Sequence, residues 1–337
     1  MSKTISVAMC TFNGSRFVAE QLTSIAAQTR LPDELMICDD CSGDETPQVV
    51  EAFAGAAPFP VHLQVNEQNL GLTKNFERAI SLCNGDLIAL SDQDDVWLPE
   101  KLARMESVFG SSPNLGLVFS DAELVDENRS LLGKRLWELL DLSREERKRL
   151  REGNAIGDLL LGSIVTGATL CFRSSLREIA LPFPDNLPMI HDGWLALIAS
   201  CVSQVLPLEE PLVLYRQHQG QQVGALERRG NIGGFKAISQ GEGGEAMRRP
   251  NSYREVLSVA HAVHQRLTET HDGEFDKRKS LPEIESRIAH LEVRANLPGS
   301  ALLRLSVVLR EFFKWRYSRY SNGISSAAKD LLHFEST

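Results

Sequence analysis

The sequence predicts an α/β fold, a largely parallel sheet covered by helices on both faces, and three observations point there. Short β-rich runs alternate with helical patterns through the first half of the 337 residues. The apolar run Leu87 to Leu90 reads as a buried strand, and the unusual polar residues fall just beyond the strand candidates. A chain of this length with 42% hydrophobic residues can bury one substantial core and still carry a smaller appended region.

Strand candidates are Ile5 to Cys10, Leu35 to Asp39, Val61 to Val65 and Leu87 to Ser91, with helices beginning near Arg16, Thr46 and Thr73 between them. Leu117 to Ser120 suggests a further strand, followed by Asp121 and a charged, helix-prone segment through Glu152. Ala168 to Phe172 and Val213 to Tyr215 are strand candidates, and Asp192 to Ser203 reads as a helix with Asp192 at its N-cap. Eight of the 24 glycines fall between Gly220 and Gly244, which predicts a flexible loop at about 221–250, either a lid or a plain connector. Beyond it, Tyr253 to Leu267 and Ile284 to Ala295 keep helical spacing, and Gly299-Ser300 precedes a last helix, Ala301 to Tyr320. No internal repeat is evident. The expected organisation is a catalytic region over 1–220, divided near 122, then the loop, then a helical region over 251–337.

A net charge of −9 argues against nucleic acid as a partner, because phosphate backbones are bound through basic excess. No run of about eighteen uncharged apolar residues is present to span a bilayer, and the start of the chain lacks the pattern of a signal peptide. A cytoplasmic location with reduced cysteines is the expectation. Cys38 and Cys41 form a C-x-x-C pair, but no second pair completes a zinc site, and the two intervening aspartates oppose the low thiol pKa of a redox motif.

In parallel sheets ligands bind beyond the carboxyl ends of the strands. Three polar clusters lie there: Thr11-Phe12-Asn13-Gly14, Asp39-Asp40-Cys41-Ser42-Gly43-Asp44, and Ser91-Asp92-Gln93-Asp94-Asp95. Crowded carboxylates repel unless a cation or hydrogen-bond donors hold them. With a diphosphate supplying further oxygens, the third cluster suits Mg²⁺ or Mn²⁺; its alternative is a helix cap, since Leu98-Pro99-Glu100 opens a helix nearby. Asp39 and Asp40 could accept from a base N–H and ribose hydroxyls, and Lys74 stands beside a glycine turn and a helix start suited to a phosphate-bearing ligand.

Four stretches taken together, SVAMCTFNGSRFVAEQLTSIAAQT, MICDDCSGDET, NLGLTKNFERAI and GDLIALSDQDDVWLPEKL, resemble the family 2 glycosyltransferases over roughly residues 4 to 122. The resemblance implies a GT-A fold, a nucleotide-diphospho-sugar donor carrying dTDP or UDP, and a divalent metal. It also implies roles: Thr11 and Phe12 lining the nucleotide pocket, Asp40 on the base, Lys74 near the nucleotide, Asp94 on the metal, and Asp92 on ribose or a metal-bound water. Asn13, Asp39 and Gln93 complete the donor side. Met189-Ile190-His191-Asp192-Gly193-Trp194 looks like the acidic motif of the acceptor side, which would make Asp192 the catalytic base. Leu214-Tyr215-Arg216-Gln217-His218 is similar to a stretch of rhamnosyltransferase-like members, which would put His218 on the metal and Arg216 on phosphate. Asp95 and His218 also admit readings as a helix cap and a surface histidine.

The last helix carries Arg304, Arg310, Lys314, Arg316 and Arg319 against Glu311, with Leu302, Leu305, Leu309, Phe312 and Phe313 along one face. It suits either contact with an anionic membrane surface or packing on the enzyme. The expected activity is transfer of a sugar, rhamnose first among candidates, to a saccharide or lipid-linked acceptor in bacterial surface polysaccharide assembly. A nucleotidyltransferase and a non-catalytic sugar-nucleotide-binding protein are the alternatives.

Overall fold

The computed structural model describes residues 3–162, 164–218, 221, 252–270, 274–276, 280–321 and 323–332. One nine-stranded sheet organises it. Four parallel strands, β1 (Ile5–Thr11), β2 (Glu34–Asp39), β3 (Val61–Val65) and β4 (Leu87–Ser91), lie in the order β3-β2-β1-β4. Every residue of β1 and β4 is buried, which is why both read as continuous runs and not as alternating ones. The register sets Thr11 beside Asp39 and Met9 beside Ser91, so the polar clusters end on one edge.

The remaining strands are β5 (Val96–Trp97), β6 (Leu115–Val125), β7 (Leu131–Arg135), β8 (Leu170–Arg173) and β9 (Gln204–Arg216). β8 runs antiparallel between β4 and β6, and β6 pairs in parallel with β9. The helix expected after Asp121 begins later: β6 continues to Val125 and turns back into the exposed edge strand β7. Asp126 makes that reversal, its Oδ1 accepting from the amides of Asn128 and Ser130 at 2.9 and 2.8 Å, with Arg129 left-handed at φ 65°. Helix resumes at Leu136–Leu139 and Arg144–Arg151, the latter opened by a capping box between Ser143 and Glu146.

The helix His191–Val202 is buried along its whole length. Its N-cap is Ile190, so Asp192 lies in the first turn and is not the expected cap. Trp194 Nε1 anchors it by donating to the Ala180 carbonyl at 2.9 Å.

Helices Tyr253–Glu269 and Leu281–Ala295 bury Val256, Val263, Leu267 and Ile284 in the same apolar core as the sheet. The helix expected from Ala301 to Tyr320 is two: Ala301–Phe313 and Arg316–Tyr320, separated where Trp315 adopts φ 58°. A further helix, Ile324–Leu332, follows. These three form a small separate cluster around Val308, Tyr317 and Ala327. Apart from Gln221, the glycine-rich segment at 221–250 lies outside the described residues.

Candidate active site

β1 and β4 are neighbours, while the chain leaves β1 for β2 on its other side and reaches β4 only after β3, and in such sheets ligands bind beyond the carboxyl ends at that reversal of strand order. Two strand-end loops are stitched together there. Gln93 clips the peptide of Phe12, its Oε1 accepting from the Phe12 amide at 2.9 Å and its Nε2 donating to the Phe12 carbonyl at 3.0 Å. Gly14 makes room for this clip, because a Cβ there would stand 2.0 Å from Gln93 Oε1.

The loop after β2 joins on the other side. Thr11 Oγ1 donates to Asp39 Oδ2 at 2.7 Å, and Asp39 Oδ1 accepts from the Ser42 amide at 2.8 Å. Asn13, left-handed at φ 48°, donates its amide to Ser42 Oγ and accepts from the Gly43 amide, both at 2.8 Å. Thr11, Phe12, Asn13, Asp39 and Gln93 therefore share one rim, with the Asp39 carboxylate committed beneath it.

Three expected donor contacts are arranged differently. Asp40 is 3% exposed, and its oxygens accept from Asn66 Nδ2 at 2.7 Å, the Leu70 amide at 2.8 Å and the Gly71 amide at 2.9 Å. Its carboxylate shapes the 66–71 loop, and Gly71, at φ 84°, caps the following helix. Lys74 Nζ donates to the Phe183 carbonyl at 3.2 Å and pairs with Glu77 and Asp185, tying that helix to the segment leading to Asp192. Arg216 is buried: its Nε donates to the Asp94 carbonyl at 2.7 Å, it also bonds the Glu127 carbonyl and Glu20, and its guanidinium lies over the Phe17 ring. Its main chain and side chain both brace the acidic loop, through Asp95 and the Asp94 carbonyl.

The acidic run divides by environment. His218 Nε2 lies 2.8 Å from Asp94 Oδ2, so the end of β9 meets the end of β4. Asp92 is pushed up to about 7, first by burial and then by the charges of Asp94 and Asp192. Asp95 is not a helix cap, since the helix Lys101–Ser111 is capped by Glu100. It is buried, Oδ1 accepts from the Arg216 amide at 3.0 Å, and burial with the neighbouring carboxylates raises its pKa well above the usual range.

Asp192 enters from the buried helix. Its Oδ2 accepts from the Gly167 amide at 3.0 Å and its Oδ1 from the Gly193 amide at 2.5 Å, which fixes the carboxylate plane. Lys101, also buried, donates to the Ala168 carbonyl at 2.6 Å and sits 3.5 Å from the Trp97 ring centroid. Burial lowers its pKa to about 7, opposed by Asp95, Cys171 and Asp92. Lys101 thus holds the same Gly167–Thr169 turn that positions Asp192. His191 stacks on Phe76 with centroids 4.1 Å apart, and burial depresses it to about 3.

Sequence reasoning missed Lys101, Gly167 and Glu20 because each reads locally as an ordinary helix or turn residue. A lysine in the first turn of a helix gives no sign that it will be buried. Cys38 is buried with its thiol pushed up to about 11, first by burial, while Cys41 is exposed, and a raised thiol opposes a redox role for the C-x-x-C pair.

Among the described residues no three His, Cys, Asp or Glu side chains form a metal cage. The donor set nevertheless fits a metal shared with a ligand: Asp94 and His218 are already within one hydrogen-bond length, and Mg²⁺-type ions usually take one or two protein groups and complete their shell with phosphate and water.

Comparison with known proteins agrees with the geometry. The chain is 28% identical over 270 residues to a dTDP-rhamnosyl transferase, RfbG, of Shigella flexneri, covering 76% of this chain and 84% of that protein. An uncharacterized glycosyltransferase of Nostoc sp. is 27% identical over 223 residues, 64% of this chain. The match spans 65% of the Nostoc protein and 59% of three mycobacterial relatives. A shorter match, 28% over 130 residues, covers 39% of this chain and 49% of an Escherichia coli β-1,3-glucosyltransferase, WfgD, whose named acceptor is α-D-GlcNAc-diphosphoundecaprenol. In fold the chain is similar to S. aureus TarS bound to UDP-GlcNAc, with a TM-score of 0.57, 15% identity and coverage of 98% of this chain and 92% of that one. Residues 6–180 match the family described as glycosyl transferase family 2, just over half of the chain, and to that family the protein belongs.

Proposed function

We propose that the protein is an inverting, metal-dependent sugar transferase of bacterial surface polysaccharide assembly. Its donor is a dTDP- or UDP-sugar, with rhamnose the leading sugar, and its acceptor is a hydroxyl on a saccharide or lipid-linked saccharide. Residues 1–122 hold the donor, 123–220 supply the base, and 251–337 form the appended helical region. A cytoplasmic enzyme working against the inner membrane accords with a lipid-linked acceptor. The Shigella relative supports the sugar, and the E. coli relative supports the acceptor class.

One observation carries the reading: carboxylates from a strand end and a helix start converge, so that Asp94 and Asp192 both raise Asp92. That charge suits a cation and diphosphate on one side of a sugar and a base on the other. Asp94 and His218 would hold Mg²⁺ or Mn²⁺, which when bound stabilises charge on the departing diphosphate by several kcal/mol. Asp92, raised by burial and its acidic neighbours, would hold a ribose hydroxyl or a metal-bound water. Asp192, oriented by the Gly167 and Gly193 amides, removes the acceptor hydroxyl proton as that oxygen bonds to the anomeric carbon. The bond from that carbon to the diphosphate oxygen breaks on the opposite face, and the configuration inverts.

Asp192→Asn tests the base. Transfer should fall by about 10²- to 10⁴-fold while calorimetric UDP or dTDP affinity stays unchanged. Undiminished transfer would remove Asp192 from the mechanism. Slow hydrolysis across a panel of nucleotide sugars reads out the donor, and equal rates for all would sink the rhamnosyl assignment.

A further inference from the structure

The helix Ala301–Phe313 is packed inside out. Its inward face is Arg304, Val308 and Glu311, with Glu311 only 1% exposed. Its outward face is Leu302, Leu305, Leu309 and Phe313, spaced three or four residues apart and so aligned in one stripe, flanked by Leu303. Leu302 is 81% exposed, and Phe313 and, just past the helix end, Trp315 are each 75% exposed. Soluble helices bury such a stripe, and a contiguous apolar patch left outside marks an interaction surface.

The buried charges are satisfied where they are. Glu311 pairs with His290 at 3.1 Å and with Arg316 at 3.2 Å, and Arg304 donates to the carbonyls of Leu331, Pro298 and Gly299. The orientation is therefore specified by the sequence, and turning the helix over would strand both ions. Around the apolar stripe the exposed ions have one sign. Arg310, Lys314, Arg319 and Lys329 face outward, whereas the acids between 299 and 332, Glu311 and Asp330, are both buried. The whole chain is at −9, so this positive patch runs against the average.

We propose that this face is a docking surface for an anionic bilayer. Leu302, Leu305, Leu309, Phe313 and Trp315 enter the acyl boundary, and Arg310 and Lys314 contact lipid phosphates. The apolar stripe supplies insertion, and the unopposed cations select lipid surfaces of negative charge. A second copy of the chain would bring the same positive patch against itself, which disfavours that occupant. The inference goes beyond the sugar-transfer reading and does not depend on it, because lipid binding is measured without donor or acceptor.

The test is co-sedimentation of the full chain with phosphatidylcholine vesicles containing about 30% phosphatidylglycerol, and with pure phosphatidylcholine, at low and high salt. The wild type should pellet with the anionic vesicles and stay in solution with the neutral ones. Arg310→Ser with Lys314→Ser should lower partitioning by about 30-fold, and Leu309→Glu with Phe313→Glu should abolish it. The urea transition followed by circular dichroism should be unchanged in all variants and shows that they are folded. A wild type that ignores anionic vesicles, variants that bind as well as it does, or a dimer in light scattering that Phe313→Glu splits would each overturn the proposal.

Discussion

The donor end of the sheet and the last three helices bury opposite things. Around β1 and β4 the interior is apolar, and ionisable groups collect at one carboxyl edge, where burial and mutual repulsion push Asp92 and Asp95 upward. In the C-terminal helices the interior is ionic. Arg294 makes a two-point pair with Asp330 at 2.7 and 3.0 Å, Tyr317 donates to Asp330 at 2.6 Å, and among the described residues the buried apolar centre is small, Val308, Tyr317 and Ala327 with Leu297, Phe312 and Leu331 packed against it. Strained charge at the sheet edge belongs to chemistry, since a ligand can relieve it. Satisfied charge in the helices belongs to architecture, and it frees the leucines for the outside.

Breaking the ionic interior should have the largest effect on stability. Arg294→Met leaves Asp330 buried without its partner and should cost about 3 to 5 kcal/mol in a urea titration followed by circular dichroism. Adding Asp330→Leu should recover most of that loss. UDP affinity measured below the transition should not change, and a fall in both together would show that the two regions are one cooperative unit.

Asp40→Ala probes the donor side. It strands the Leu70 amide, while the Gly71 amide and Asn66 Nδ2 keep Asn69 and Asn75 as acceptors, so about 1 to 3 kcal/mol of stability should go. Nucleotide affinity should fall with it, whereas vesicle binding should not.

Lys101→Met keeps the stem and removes the ammonium that holds the Ala168 carbonyl. We expect about 1 to 3 kcal/mol lost and a drop in transfer with the donor KM unchanged, together with a displaced pH–rate profile. A change in KM alone would place Lys101 in donor binding.

At neutral pH the smallest effect is at His191, whose contribution changes only on acidification. Burial pushes His191 from its ordinary 6.5 down to about 3 in the folded chain, so the unfolded chain takes the proton first. Its contribution is intact above about pH 6.5 and is lost as pH falls towards 3, at about 1.4 kcal/mol per unit. Phe76 and Phe183 face the ring and Asp192 adjoins it. His191→Phe should flatten that part of a stability–pH curve, and an unchanged slope would mean that other groups carry it.

Local pattern carried far in the first half of the chain. Val61–Val65 and Leu87–Ser91 are strands with the expected bounds, the first an alternating apolar and polar edge segment and the second a continuous apolar run buried in the sheet. Legibility fails where structure depends on distant partners. The segment after Asp121 looked helical from its charges, yet pairing with β9 extends β6 to Val125. His218 could be an ordinary surface residue until β9 brings it to Asp94.

By itself the sequence determined the alternating α/β order and the placing of polar clusters after strands, since both follow from periodicities two and 3.6 residues long. Tertiary structure alone decided which acids meet. It set Asp192 against Asp92, committed Asp40 and Arg216 to internal bonds, buried Lys101, and turned the leucines of the last long helix outward. Each of these depends on contacts between residues tens to hundreds of positions apart, and such contacts leave no local trace in composition or spacing.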